Sequence, residues 1–414
     1  MGGRELHNLK EISRPLAIAN WLVGAGVLEY PTGRPRYLFS FLYSMSCLAA
    51  YFMALNFSLQ RLKLFYATRV SEAGRLTYKA LLYANVLLTL SVIAFGWIRR
   101  KGVNSYSRRL GASDDLMEKI GIPKNYRKIL IRQIIHLVAV IVLLLIVIAV
   151  NSTWILNAEV AGNIKLSLGV SLFYPVTLMY IADVSFINWV WYLKTKFKQL
   201  NVFLSSISTT DLQLPRHRNV LKWNDTIINE FPSGIADQSK TNDSYNMIKI
   251  ARQVHLELVR ISHDVNRAYG IQILLSLAAS FSLIIGLFYN AYVVAIRMQV
   301  PLHVLNQELM TTACWSLFYG SKIAAISHIC ALTSSEATRT GDIICELHEP
   351  CTSKQFQMEI KEFLLQLIEN RLDFTACGYF TLDYGLIRTV IGSITTYLVI
   401  FIQIGDIALS EKSL

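Results

Sequence analysis

The chain has 414 residues, 53% of them hydrophobic and 16% charged, with a formal net charge of +12 and a mean hydropathy of +0.39. Such a composition lies outside the range of soluble globular domains, and the basic excess forms no nucleic-acid-binding stretch but follows the connections between apolar runs. The six cysteines, Cys47, Cys314, Cys330, Cys345, Cys351 and Cys377, show neither CxxC spacing nor a Cys/His pair, so their pattern points to no zinc site and no secreted disulfide framework.

Residues 1–36 read as a cytosolic N-terminal segment. Met1–Lys10 is polar, and the apolar patch Ala17–Leu28 is short and followed by Tyr30-Pro31-Thr32-Gly33-Arg34-Pro35, so no cleaved signal peptide is expected. Seven apolar runs follow: Tyr37–Phe57, Leu76–Ile98, Ile129–Ile155, Leu166–Leu193, Ile271–Ile296, Leu302–Leu332 and Tyr384–Ile407. Each is long enough to cross a ~30 Å hydrocarbon core as a helix rising 1.5 Å per residue. The expected fold class is all-α, a seven-transmembrane helical membrane protein, with residues 37–354 forming a six-span membrane domain.

Lys and Arg divide unevenly between alternating connections. Thirty lie before the first span or in the second-to-third, fourth-to-fifth and sixth-to-seventh connections, against eight on the other side, five of those in one loop. The positive-inside rule then puts the N-terminus in the cytosol and the C-terminus outside. That orientation is the reverse of a G-protein-coupled receptor. The sequons at Asn56 and Asn151 fall on the outer side and those at Asn224 and Asn242 inside; the outer pair abut span ends, and none of the four carries weight.

The cytosolic connection over 194–268 has two characters. Leu204–Asp243, rich in Ser, Thr, Asp and Asn with Pro215 and Phe231-Pro232-Ser233-Gly234, buries little apolar surface and is expected to be partly disordered. Lys194–Phe203 and Tyr245–Tyr269 have helical periodicity and would extend the fourth and fifth spans into the cytosol, as the sixth would continue through Ile344. Residues 355–383 read as another amphipathic helix, with Met358, Ile360, Phe363, Leu364, Leu367, Ile368 and Leu372 against Lys361, Glu362, Glu369 and Asn370. Such a helix ordinarily packs on its own domain.

The last run, Thr389–Gly405 within 384–414, is uncharged but not uniformly apolar. On a helical wheel Thr389, Gly392, Ser393, Thr396, Gln403 and Asp406 share one face, interrupted by Val399 and Ile400. A carboxamide such as Gln403 facing lipid would lose its water partners at a cost of about 2–7 kcal/mol, so the stripe should face protein or water. Either it is a seam of small residues between packed helices, or copies from several subunits close a ring. In the second case Gln403 supplies dipoles, and Val399, Ile400 or Ile404 forms a dewetting constriction.

The octet Thr396-Tyr397-Leu398-Val399-Ile400-Phe401-Ile402-Gln403 resembles the C-terminal signature of insect gustatory receptors, and Phe374-Thr375-Ala376-Cys377-Gly378-Tyr379-Phe380-Thr381-Leu382-Asp383 resembles that family's segment before its last span. The motif-bearing resemblance covers roughly residues 363–405, with Ile404 standing where the family usually has Phe. It implies a ligand-gated, cation-permeable channel in the plasma membrane, a homotetramer or a heteromer with related subunits, with the last span lining one central pore. It also implies that residues 355–383 join neighbouring subunits in a cytosolic anchor. The ligand would be a small tastant, a sugar or bitter compound, bound within the outer part of each membrane domain.

No enzyme motif, metal-ligand cluster or cofactor-binding loop is present, and the histidines His136, His255, His263 and His328 read as structural. Polar and aromatic residues gather instead in the outer halves of the spans: Tyr83, Asn85, Trp154, Tyr174, Tyr289, Asn290, Tyr292, Gln307, Glu308, Trp315 and Tyr319. Aromatic platforms with a few amide or carboxylate groups suit a sugar or a flat alkaloid, and the same residues also suit an interfacial belt. Glu308, Trp315 and Tyr319 share a helix face and are the favoured group, with Tyr174, Tyr289 and Asn290 beside them. Asp183, Lys322 and Asp383 are costly inside a membrane and are expected to pair or to solvate helix ends. A secondary transporter and a non-conducting receptor or scaffold are the alternatives; no half-to-half repeat supports the transporter.

Overall fold

The computed structural model describes residues 9–29, 34–66, 72–156, 161–213, 234–297, 301–347 and 354–410. Among these residues the regular structure is helical, with two isolated β-bridges. The helices are α1 (Leu9–Leu22), α2 (Tyr37–Tyr66), α3 (Glu72–Lys119), α4 (Tyr126–Leu156), α5 (Gly162–Gln213), α6 (Gly234–Tyr292), α7 (Leu302–Glu346), α8 (Lys354–Glu369) and α9 (Tyr384–Ser410); α6 ends in a π-helical turn at Val293–Arg297.

Helix length separates two groups. With 30, 31 and 27 residues, α2, α4 and α9 match a bilayer. In contrast α3, α5, α6 and α7 have 48, 52, 59 and 45 residues, which at 1.5 Å per residue outreach a ~30 Å hydrocarbon core by tens of ångströms. Their extensions meet in a bundle, α3 packing along α6 and α5 along α7, with α8 laid across α6 and α7. Phe197, Leu200, Leu204, Ile248, Val254, Leu258, Ile344 and Phe363 are fully buried there. Water drives that burial, whereas lipid gives apolar side chains no comparable reason to turn inward. Accordingly α4 leaves Ile131, Ile135, Val138, Ile141 and Leu145 exposed on its outer face.

Six stretches are long and apolar enough to cross a membrane: Tyr37–Gln60, Leu82–Arg100, Tyr126–Ser152, Gly162–Ile207, Tyr245–Ile296 and Tyr384–Ile404. The remaining expected span, within α7, is long enough but less apolar. The reason lies in its buried face, where Thr312, Lys322, Ser327, Thr333 and Thr340 take protein partners or bury their polar groups.

Within Leu204–Asp243, α5 runs on to Gln213 and α6 starts at Gly234; residues 214–233, including Asn224, lie outside the described residues. One expectation needs correction: the amphipathic run of residues 355–383 is not one helix. Helix α8 ends at Glu369, and the chain then turns through Cys377 (φ 53°) and Gly378 (φ 79°), closed by a bridge between Thr375 and Thr381. Phe374, Ala376 and Leu382 are buried, so this turn is pinned to the core by its apolar residues. Asp383 then caps α9, Oδ1 accepting from the Leu386 N–H at 3.1 Å and Oδ2 from the Thr381 hydroxyl at 3.0 Å.

Candidate functional site

Helix α9 leans on α6 and α7 with one face only. Leu386, Val390 and Ile394 pack against the main core, and Tyr397 and Phe401 lay their rings edge-on or tilted against Phe281 and Tyr289 of α6, at 6.0 and 5.9 Å. On the helical wheel the Thr389, Gly392, Thr396, Val399 and Gln403 stripe lies opposite that contact. No residue of Tyr384–Ile404 is buried within the subunit. Val399, Ile400 and Ile404 are 48%, 39% and 57% exposed, and Thr396 and Gln403 are exposed as well. The hydroxyls of Thr389 and Thr396 donate to the carbonyls of Gly385 and Gly392 at 3.0 Å, so these side chains need no partner from lipid. A Cβ at Gly392 would meet only open space.

The aromatic group centres on Trp315. Its ring stacks on Tyr319 (5.5 Å, 15°) and Phe173 (6.4 Å, 13°) and meets Phe318 edge-on at 5.7 Å. Its indole N–H donates to Asn151 Oδ1 at 2.7 Å, while the Asn151 amide donates to the Val147 carbonyl. That fixes the ring plane from α4, α5 and α7 together. Glu308, half-buried, lies two turns before Trp315 on α7 and has no hydrogen-bond or ion-pair partner among the described residues. Tyr319 is 3% exposed.

The other expected pocket residues lie apart from this stack. Tyr174 donates from its hydroxyl to the Val23 carbonyl at 3.0 Å and packs on Tyr51, on a different face of α5 from the Phe173–Trp315 contact. Tyr289 and Asn290 are half-buried on α6, where Tyr289 contacts α9. Tyr83 is 66% exposed in the manner of a belt residue, and Asn85 is buried; Tyr292 and Gln307 are half-buried. The Trp154 side chain lies outside the described residues.

Below the stack runs a polar chain that sequence reasoning named only at its two ions. Lys322 Nζ lies 3.4 Å from Asp183 Oδ2 and donates to Ser276 Oγ at 2.8 Å. Ser276 donates on to Asp183, Gln272 donates to the other Asp183 oxygen at 3.3 Å, and Arg99 donates to Gln272 Oε1. Lys322 also sits 5.7 Å from the Tyr319 ring centre. The chain thus ties α3, α5, α6 and α7 from the Arg99 end of its span to the underside of the aromatic stack. Ser276 and Gln272 carried no signal beyond being polar in an apolar run. Phe173 and Asn151 stood in the sequence as the neighbour of Tyr174 and as a sequon.

Three of the four histidines named from the sequence face side chains of neighbouring helices. His255 sits between Phe197 and Phe363, His136 faces Asn188 at 3.3 Å, and His328 joins α7 to α9 through the Tyr384 hydroxyl at 2.8 Å.

Comparison with known proteins places this arrangement. A family model described as 7tm chemosensory receptor matches residues 13–407. The gustatory and pheromone receptor 32a of Drosophila melanogaster is 30% identical over 151 residues, 36% of this chain and 32% of that protein. Isoform C of gustatory and pheromone receptor 39a, from the same fly, is 25% identical over 198 residues, 48% and 50% of the two chains. The chain therefore spans about a third to a half of the length of these curated relatives. In fold it is similar to the insect olfactory receptor OR5 from Machilis hrabei, solved alone and in complex with eugenol, with a TM-score of 0.64 over 96% of this chain and 98% of that one at 11% identity. The relatives are receptors, not enzymes, and with several apolar helices the protein is a multi-pass protein of the plasma membrane. From its whole-length match to the family model, and with a fold to agree, the chain belongs to the 7tm chemosensory receptor family.

Proposed function

We propose that this chain is a gustatory receptor acting as a ligand-gated, cation-permeable channel, assembled as a homotetramer or with related subunits around one pore lined by α9. The observation that carries the reading is the placement of α9. Its apolar face is packed on α6 and α7, while its polar stripe is exposed and wholly unburied in the single subunit. A carboxamide turned away from its own subunit is costly against lipid and well served by a water-filled axis.

In this reading the N-terminus is cytosolic, the long helix extensions form a cytosolic domain, and α8 contributes to the anchor between subunits. Helix α8 suits that role because one face is buried, through Phe356, Ile360 and Phe363, while Met358, Leu365 and Ile368 stay 62%, 60% and 77% exposed. Those three residues are a second apolar face with no cover from their own subunit. The ligand sits in the outer membrane half beside Trp315, Tyr319 and Glu308, where rings stack on it and the unpartnered carboxyl reads a hydroxyl or amine. It is a small tastant, a sugar or bitter compound; relatives named for sugar taste and for bitter taste match at the same 27% identity. Ligand binding favours the open state only through contacts that differ between states. The Tyr289–Phe401 and Phe281–Tyr397 ring contacts give movement of α6 a direct handle on α9.

Whole-cell recording from cells expressing this chain alone, across a panel of sugars, polyols and alkaloids, tests the reading. Evoked current with a defined cation reversal potential is expected. Slow flux coupled to substrate would point instead to a transporter, and silence with protein at the surface to a non-conducting receptor or an obligate heteromer.

A further inference from the structure

At the Arg99 end of the α3 span, away from the aromatic stack, lies a cavity of about 310 Å³ between α1, the segment after it, α3, α5 and α6. One wall is fixed by close backbone contact, since a Cβ on Gly96 would collide with the Ala25 carbonyl oxygen. Asn20 of α1 binds Ser185 of α5 at 2.8 Å and holds α1 over the space. Trp189 and Tyr269 line the interior, and Ala17 and the 39%-exposed Ile18 stand at the rim.

The charges of the lining are unequal. It holds three guanidinium groups, Arg14, Arg99 and Arg100, and a single carboxylate, Glu29, which Arg100 occupies at 3.2 Å. Arg99 is 7% exposed, lies 4.1 Å over the Tyr269 ring and donates only to Gln272 among the described residues, so most of its five N–H donors have no acceptor. Ser107, 6% exposed, and Asn104 also line the space with no hydrogen-bond partner among the described residues. These donors border the cavity, so an occupant that accepts from them is favoured there.

We infer that this cavity is a second ligand site, distinct from the tastant pocket, which takes the phosphate headgroup of an anionic lipid. Arg99 and Asn104 hold the phosphate, Ser107 donates to it, and the acyl chains leave past Ala17 and Ile18 into the bilayer. The volume admits a headgroup and not a whole lipid, and the apolar rim facing outward suits the chains. A guanidinium is the group best matched to phosphate oxygens, and a desolvated one gains most from the pairing. Because Arg99 also anchors the polar chain through Gln272 to Asp183 and Lys322, an occupant here touches the same network that underlies the aromatic stack.

Binding is measured without recourse to channel activity, so its outcome stands apart from the functional reading. The purified full chain in nanodiscs of dioleoylphosphatidylcholine, doped with dioleoylphosphatidic acid or with dioleoylglycerol, is released for native mass spectrometry. Phosphatidic acid should be retained about tenfold over diacylglycerol, and Arg99→Gln or Asn104→Phe should lower retention by about the same factor, the scale of one charge-assisted contact. Ala17→Trp blocks the rim from an exposed position and should give the same loss even where the Arg99 variant fails to fold. Thermal stabilisation by inorganic phosphate with no preference between the lipids would keep the anion site and overturn its lipid occupant. Equal retention of both lipids with no effect of inorganic phosphate, or retention unchanged in all three variants, would overturn the site.

Discussion

Lys322 of α7 and Asp183 of α5 lie 3.4 Å apart with both side chains 1% exposed, joined through the Ser276 hydroxyl in the middle of the helical bundle. Bringing two charges out of water costs several kcal/mol each, which their attraction and hydrogen bonds roughly offset while both are present. Removing one partner strands the other.

Asp183→Leu or Lys322→Met alone should therefore cost about 3–5 kcal/mol and sharply reduce monodisperse protein in fluorescence-detected size-exclusion chromatography, while the double variant recovers much of the loss. Wild-type profiles for both single variants would show that the pair is not a structural element of the core.

At Trp315 two contributions can be separated. Trp315→Ala removes the stacks on Tyr319 and Phe173 and the bond to Asn151, and should raise the agonist concentration for half-maximal current by about tenfold at similar surface expression. Trp315→Phe keeps a ring and loses only the N–H donor, so its shift should be the smaller. A dose–response curve unmoved by either change would take Trp315 out of the pocket.

Gln403 is exposed on the unburied face of α9, so Gln403→Ala should leave folding within about 0.5 kcal/mol of wild type while moving the reversal potential under mixed-cation conditions. Unchanged conductance and selectivity would place Gln403 outside the pore wall.

Asp383 starts α9 by accepting from the Leu386 N–H. Asp383→Ala should destabilise the start of the helix by about 1 kcal/mol, read as a lower melting temperature of the solubilised protein, and Asp383→Asn should retain most of the cap. Equal losses in the two variants would assign the role to charge instead.

Composition and helical periodicity were enough to make the long apolar helices legible, since a run such as Tyr126–Ser152 has few other physical solutions. The α9 stripe was legible too, because Thr389, Thr396 and Gln403 recur at helical spacing among lipid-compatible residues. The stack around Trp315 was legible only in part. Which face of α5 meets α7 depends on how whole helices rotate, and one position separates Phe173, which touches Trp315, from Tyr174, which reaches Val23 instead. Asn151 was hidden by its sequon, and the end of α8 by continued apolar spacing through Leu372, which anchors a turn instead of a helix. The Arg99 cavity leaves no periodic trace, for its lining comes from four helices and the segment after α1.

The most direct test of the central claim is the accessibility of single cysteines along α9 to a membrane-impermeant, hydrophilic thiol reagent, against the reactivity of the native cysteines. Cysteine at Thr396, Val399 or Gln403 should react, faster with agonist than without, while cysteine at Leu386, Val390 or Ile394, on the face packed against α6 and α7, should stay protected. Protection of the polar-face positions in both the resting and the stimulated protein would contradict a water-filled path along this helix.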